Sequence, residues 1–172
     1  MRAFTLALIS TFALAAAPAT ASVSGLGGRS LVEQIREHRA EAWKWQRVMG
    51  ERLTPTSYGE RRASPERLVH LRDAWKRRAY LARTEARRPP NRQAWLCIHQ
   101  YEGSWSDSGA PYYGGLQMDE SFMRTYGPGL VRKKGTADNW TPLEQMWVAE
   151  KALGAGRGFY PWPNAARLCG LI

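Results

Sequence analysis

The sequence predicts a mainly α protein in two parts, an N-terminal helical hairpin followed by a small compact domain. Three observations carry this. Apolar residues recur at helical spacing behind cap residues on either side of a Gly- and Pro-containing break at Gly50, Pro55 and Gly59. The charge is lopsided: residues 22–93 hold 17 Lys and Arg against 8 Asp and Glu, and residues 94–172 hold 7 of each. Five of the eight tryptophans and both cysteines fall in the last 78 residues.

Residues 1–21 read as a secretory signal peptide. Met1-Arg2 precedes an apolar run from Ala3 to Ala17, and Ala19-Thr20-Ala21 supplies small residues for cleavage. Fifteen residues are too few to cross a bilayer comfortably. The expected location is outside the cell or in the cell wall, where oxidation of cysteines is favoured.

Residues 22–92 are expected to form the basic hairpin and a Pro-rich linker. Ser30-Leu31-Val32-Glu33 has the form of a capping box, and Leu31, Ile35, Ala42, Trp45 and Met49 make the apolar stripe of a helix to about Met49. Ser64-Pro65-Glu66 restarts the pattern, with a cap residue and Pro at the first helical position. Leu68, Leu71, Trp75 and Ala82 form the second stripe, which ends before Pro89-Pro90. With the two stripes facing each other, Arg61, Arg62, Lys76, Arg77, Arg78, Arg83, Arg87 and Arg88 stay in water. Such a face suits an anionic wall polymer or membrane surface. No groove-reading motif accompanies it, and the expected compartment argues against nucleic acid as a partner.

Residues 93–172 should be the compact domain. A helix over about 93–101 leads through a Gly- and Ser-rich loop to Tyr112-Tyr113-Gly114-Gly115-Leu116-Gln117-Met118. Helices resume near 119–126 and 142–153, and little suggests an extended sheet. Trp140 and Trp147 are expected in packing roles.

Several separated motifs here resemble the resuscitation-promoting factor domain, a small transglycosylase-like member of the lysozyme superfamily. They are Trp95, Glu102 and Trp105, then Tyr-Tyr-Gly-Gly-Leu-Gln-Met, Val148-Ala149-Glu150, Gly156-Arg157-Gly158, and Trp162-Pro163 before Cys169. The resemblance covers about residues 93–172. It implies a helical, lysozyme-like domain that cleaves the glycan strands of peptidoglycan without a cofactor. Glu102 matches the catalytic acid at the end of the first helix. Tyr113, Gly114 and Gln117 match the cleft wall, and with Trp105 they are the candidate sugar contacts.

Residue chemistry is compatible with that implication. A carboxylic acid donates a proton to a glycosidic oxygen near neutral pH only where an apolar setting disfavours its ionised form, and Glu102 is flanked by Tyr101 and Trp105. Aromatic faces stack on sugar rings, and the Gln117 amide both donates and accepts. Glycosidases ordinarily use two carboxylates; Asp107 and Asp119 are the candidates for the second, although an acid at Asp119 also suits a helix start. Related transglycosylases use one acid and let a hydroxyl of the sugar itself attack, leaving an anhydro end.

Cys97 and Cys169 are the only cysteines, and secretion favours a bridge between them. The family places its first cysteine immediately before the catalytic glutamate, where this chain has Tyr101. Cys97 lies one helical turn earlier.

Other chemistries fit less well. A cysteine peptidase using Cys97 and His99 fails if Cys97 is bridged, and a metal site from Cys97, His99 and Glu102 lacks zinc-like ligand spacing. A non-catalytic peptidoglycan-binding module built on the same aromatic cleft is the main alternative to an enzyme.

Overall fold

The computed structural model describes residues 29–56, 59 and 63–172. The signal-peptide expectation for residues 1–21, and that of solvated Arg61 and Arg62, lie outside the described residues. The fold is mainly α with one disulfide. Among the described residues no helix is long and apolar enough to cross a membrane.

Helix α1 spans Leu31–Met49. Its capping box forms as expected: the Ser30 hydroxyl accepts from Glu33 N at 3.3 Å, and Ser30 N donates to the Glu33 carboxylate at 3.0 Å. Gly50 ends the helix in the left-handed conformation at φ 79°. Helix α2, Pro65–Ala86, starts behind Ser64 with Pro65 in the first turn.

The apolar stripes of α1 and α2 face each other, yet the two helices do not form a hairpin. They run in the same direction. Ile35 clusters with Trp75 and Ala79, Glu41 pairs with Arg83 at 3.5 Å, and Met49 clusters with Ala82 and Ala86. Partners therefore advance together along both chains. The return is made by the connection between them. After Gly50 the chain doubles back along α1, where Trp43 Nε1 donates to Thr54 O at 2.8 Å and the Gln46 amide makes two bonds to Thr54, at 2.9 and 3.0 Å. Fourteen residues, 51–64, reach roughly 45 Å when extended, against about 28 Å for a 19-residue helix. That surplus permits the parallel arrangement, which a tight turn would forbid.

Helix α3, Arg92–Glu102, opens the second part. Two two-residue strands follow, β1 (Tyr112–Tyr113) and β2 (Met118–Asp119), antiparallel with Tyr112 opposite Asp119 and Tyr113 opposite Met118. Then come α4 (Glu120–Tyr126), α5 (Pro128–Lys134), a 3-10 turn at Ala137–Asn139, α6 (Pro142–Ala152) and α7 (Pro163–Leu168). Helices α5 and α7 were not among the sequence expectations, although each begins on a proline. Trp95, Ile98, Leu116, Trp140, Val148 and Trp162 are buried in one core between these elements. Cys97 and Cys169 are bridged, tying α3 to the end of α7.

The two parts meet at α6. Trp147 packs against Met49, Ala82 and Ala86, and its Nε1 donates to Ala86 O at 2.7 Å. The Lys151 side chain lies across Gly50, so close that a Cβ on that glycine would sit 2.5 Å from Lys151 Cε. Trp140 is core, as expected; Trp147 packs too, but as the joint between the parts. The linker is fastened as well: Glu150 accepts from Asn91 N at 2.7 Å, Asn91 Nδ2 at 3.0 Å and Trp95 Nε1 at 2.8 Å.

Candidate functional site

Glu102 is the last residue of α3, where the helix ends and its side chain projects beside the following loop rather than another turn. It is half-buried. Burial alone pushes its carboxyl above the ordinary glutamate range, with no charged neighbour contributing. Tyr101 does not supply the apolar setting expected of it, being 54% exposed; successive helical residues point apart.

The loop after Glu102 folds back onto α3. Trp105 stacks on His99, one turn before Glu102, with ring centroids 4.0 Å apart and planes at 24°. His99 Nδ1 bonds Gly115 O at 3.1 Å. Gly115 is pressed against both rings: a Cβ there would lie 2.6 Å from His99 Nδ1 and from a Trp105 ring carbon, so only glycine fits without displacement. His99, Trp105 and the Gly-Gly segment form one packed unit.

Behind that unit lies Gln145 of α6, the one fully buried polar side chain among the described residues. Its Oε1 accepts from Gly115 N at 2.9 Å, while its Nε2 donates to Trp105 O and Ala137 O, each at 2.8 Å, and to Trp140 O at 3.2 Å. Three loops are thereby fixed by one amide. Neither Gln145 nor His99 was singled out as a site support in the sequence. A lone polar residue inside an apolar helical stripe, Met146-Trp147-Val148-Ala149 following it, was the available signal for Gln145.

The expected sugar contacts divide. Gln117 adopts a left-handed backbone at φ 45°, unusual for a non-glycine, and its Nε2 donates to Asp107 Oδ2 and Gly114 O, each at 2.9 Å. Both partners are acceptors, which fixes the amide orientation and leaves Oε1 as the atom for any further bond. Gly114 is buried against Gln145, so it shapes the loop and presents no surface of its own. Tyr113 is partly exposed and lines a shallow depression of about 430 Å³ with Ala110, Pro111, Asp119, Glu120 and Ser121. Glu102 is not among the residues lining it. Trp105 is partly buried, with one face on His99.

Both candidates for a second carboxylate have structural work. Asp119 caps α4 by accepting from Phe122 N at 2.7 Å. Asp107 accepts from Gly109 N at 3.0 Å besides Gln117, and its backbone O accepts from Gly114 N at 2.7 Å. The disulfide occupies Cys97, removing it as nucleophile or metal ligand. Among the described residues no three His, Cys, Asp or Glu side chains gather as metal ligands. Comparison with family models, curated proteins and solved structures finds no match to this chain.

Proposed function

We propose that the chain is a secreted enzyme that cleaves the glycan strands of peptidoglycan, with Glu102 as general acid and a reaction of the lytic transglycosylase type. The observation that carries this reading is the place of Glu102, half-buried at the last residue of α3 before the loop that stacks Trp105 on His99, a setting that raises its carboxyl above the ordinary glutamate range. A carboxyl in that setting holds its proton more readily than a solvated glutamate, as a general acid must. Glu102 ends the helix that carries His99 and its stacked Trp105, and Gln117 lies against the next residue, Gly103, in the order that the resemblance to resuscitation-promoting factor domains implies.

The lone carboxylate favours the intramolecular route. Asp119 is committed to capping α4 and Asp107 to bonds from Gly109 N and Gln117 Nε2, which leaves neither carboxylate free to activate a water. Glu102 protonates the glycosidic oxygen as the bond to the anomeric carbon breaks. A hydroxyl of the same sugar closes on that carbon, and its proton passes to the Glu102 carboxylate. The acid is regenerated, and the product carries an anhydro ring with no water added.

Mass spectrometry of purified peptidoglycan incubated with the mature protein and with its Glu102→Gln variant tests this. Anhydro-ended fragments from the wild type alone are expected, with a loss of about 10²- to 10⁴-fold in the variant. Fragments heavier by one water would replace the transglycosylase reading with hydrolysis. Wall binding by both proteins with no fragments from either would replace the enzyme with a binding module.

A further inference from the structure

The cations of α2 fall into two sets. Arg72 pairs with Asp73 at 2.9 Å, Arg78 lies over the Trp75 ring at 5.2 Å, and Arg83 reaches Glu41 at 3.5 Å. Lys76, Arg77, Arg87 and Arg88 form no ion pair among the described residues and are all exposed. At 100° per residue Lys76 and Arg77 fall on the face of α2 turned away from α1, together with Tyr80 and Leu81, which are 60% and 57% exposed, while Arg87 is the C-cap of the helix and Arg88 follows it in the turn before Pro89. Asp73 sits at the upstream edge of this surface and feels Lys76, while Glu85 lies on its flank. Between Lys76 and Arg88 no acidic side chain lies within the face itself.

We propose that this face of α2 binds a linear polyanion with repeating phosphodiester groups on a polyol backbone, a polymer of the cell envelope. Lys76 and Arg77 lie about 15 Å along the helix axis before its end, where Arg87 and Arg88 follow, so the four cations form two groups rather than one cluster. One small anion cannot satisfy both, whereas a chain of spaced charges can. Arginine forks match phosphate oxygens, and Tyr80 and Leu81 between the groups offer apolar surface to the carbon backbone linking successive phosphates. A bilayer fits less well, because an interfacial helix inserts a continuous apolar face and α2 has spent its own against α1. Cations without an acidic partner need break no existing ion pair to meet a phosphate. This surface is separate from the chemistry at Glu102, and the proposal stands or falls independently of it.

The test uses the full mature chain and fluorescently labelled poly(glycerol phosphate), with binding followed by anisotropy from 50 to 200 mM salt. Four phosphate contacts predict a fall of about 50-fold over that range, by analogy with flexible single-stranded polyanions. The variant K76Q/R77Q/R87Q/R88Q is expected to bind at least about tenfold more weakly at 50 mM salt. A control variant, R36Q/R47Q/R124Q/R132Q, removes the same charge from exposed positions elsewhere and should stay within about threefold of wild type. Circular dichroism confirms that both variants fold, and cleavage of soluble glycan fragments, where present, should be equal in both. Equal weakening by the control overturns the proposal in favour of diffuse net charge. Binding to anionic phospholipid vesicles but not to the polymer overturns it in favour of a membrane, and tighter binding to duplex DNA of equal charge overturns it in favour of nucleic acid.

Discussion

The helix pair and the C-terminal domain are held together by different means. Between α1 and α2 the contact is side-chain packing along one seam, with small alanines Ala42, Ala79 and Ala82 letting Trp75 in. In the C-terminal domain buried hydrogen bonds lock the loops: Gln145 joins three, Glu150 fastens the start of α3, and Trp162 Nε1 is bonded to Leu116 O. A seam of apolar contacts tolerates a surface of any charge, so the pair is free to be strongly basic. A domain whose loops are closed by buried side-chain amides and carboxylates needs those polar groups satisfied in a single geometry, because buried polar groups are costly when unmade.

That contrast is broken most severely at the disulfide. Cys97→Ala with Cys169→Ala opens a loop of 73 residues and should lower stability by about 4 kcal/mol on the chain-entropy argument. Urea melts followed by tryptophan fluorescence read this, and a change below 1 kcal/mol would mean that the polar network alone holds the domain. Next in size is Gln145→Leu, which strands Gly115 N and the carbonyls of Trp105 and Trp140, while Ala137 O keeps its bond from Trp140 N. A loss of about 3 kcal/mol is expected, and glycan cleavage should fall with it; the same substitution leaving both unchanged would remove Gln145 as the organiser of the loops.

Trp147→Phe tests the joint. It keeps the apolar contact but drops the bond to Ala86 O, for a cost of about 1 kcal/mol. Protease susceptibility around 87–91 should rise while the disulfide-bonded domain stays intact. A full loss of fold would show that the two parts are not separable.

The smallest effect is a pH signature. Glu102 has a folded pKa above its unfolded value, so the native state holds the extra proton and stability declines as pH rises from about 4.5 through the folded pKa. Glu102→Gln abolishes that decline. Its Tm should match that of wild type below pH 4 and exceed it by a degree or two at pH 7. Coincident curves at all pH values would mean that the site is not apolar enough to hold a proton.

How much of this was legible depends on the range over which the cause acts. The Ser30–Glu33 capping box, the restart at Ser64-Pro65 and the cap at Asp119 are settled within four residues, and each forms as the sequence indicates. The direction of α2 depends on Gln46 and Trp43 catching Thr54 and on Trp147 receiving both helix ends, contacts that no local pattern carries. Glu102 is placed by its position among the motifs that resemble the resuscitation-promoting factor domain, and it proves to be the last residue of α3. The source of its burial could not be read: Tyr101 beside it points to solvent, and the loop from Trp105 to Gly115 is closed over α3 by Gln145, some forty residues downstream.

The parallel course of α1 and α2 also has an electrostatic consequence. Helices in a hairpin set their dipoles head to tail, and the fields largely cancel at each end. Side by side in one direction, both negative poles arrive at α6, beside Gly50 and Ala86. Lys151 sits there, its stem over Gly50, in no ion pair with an acidic side chain among the described residues. Burial lowers its pKa, while the carbonyl end of α1 beside it favours the charged ammonium. An ammonium over the end of α1 thus stands beside the Trp147 packing at the joint, and an α2 running the other way would carry its own carbonyl end, with the bond from Trp147 to Ala86 O, away from α6.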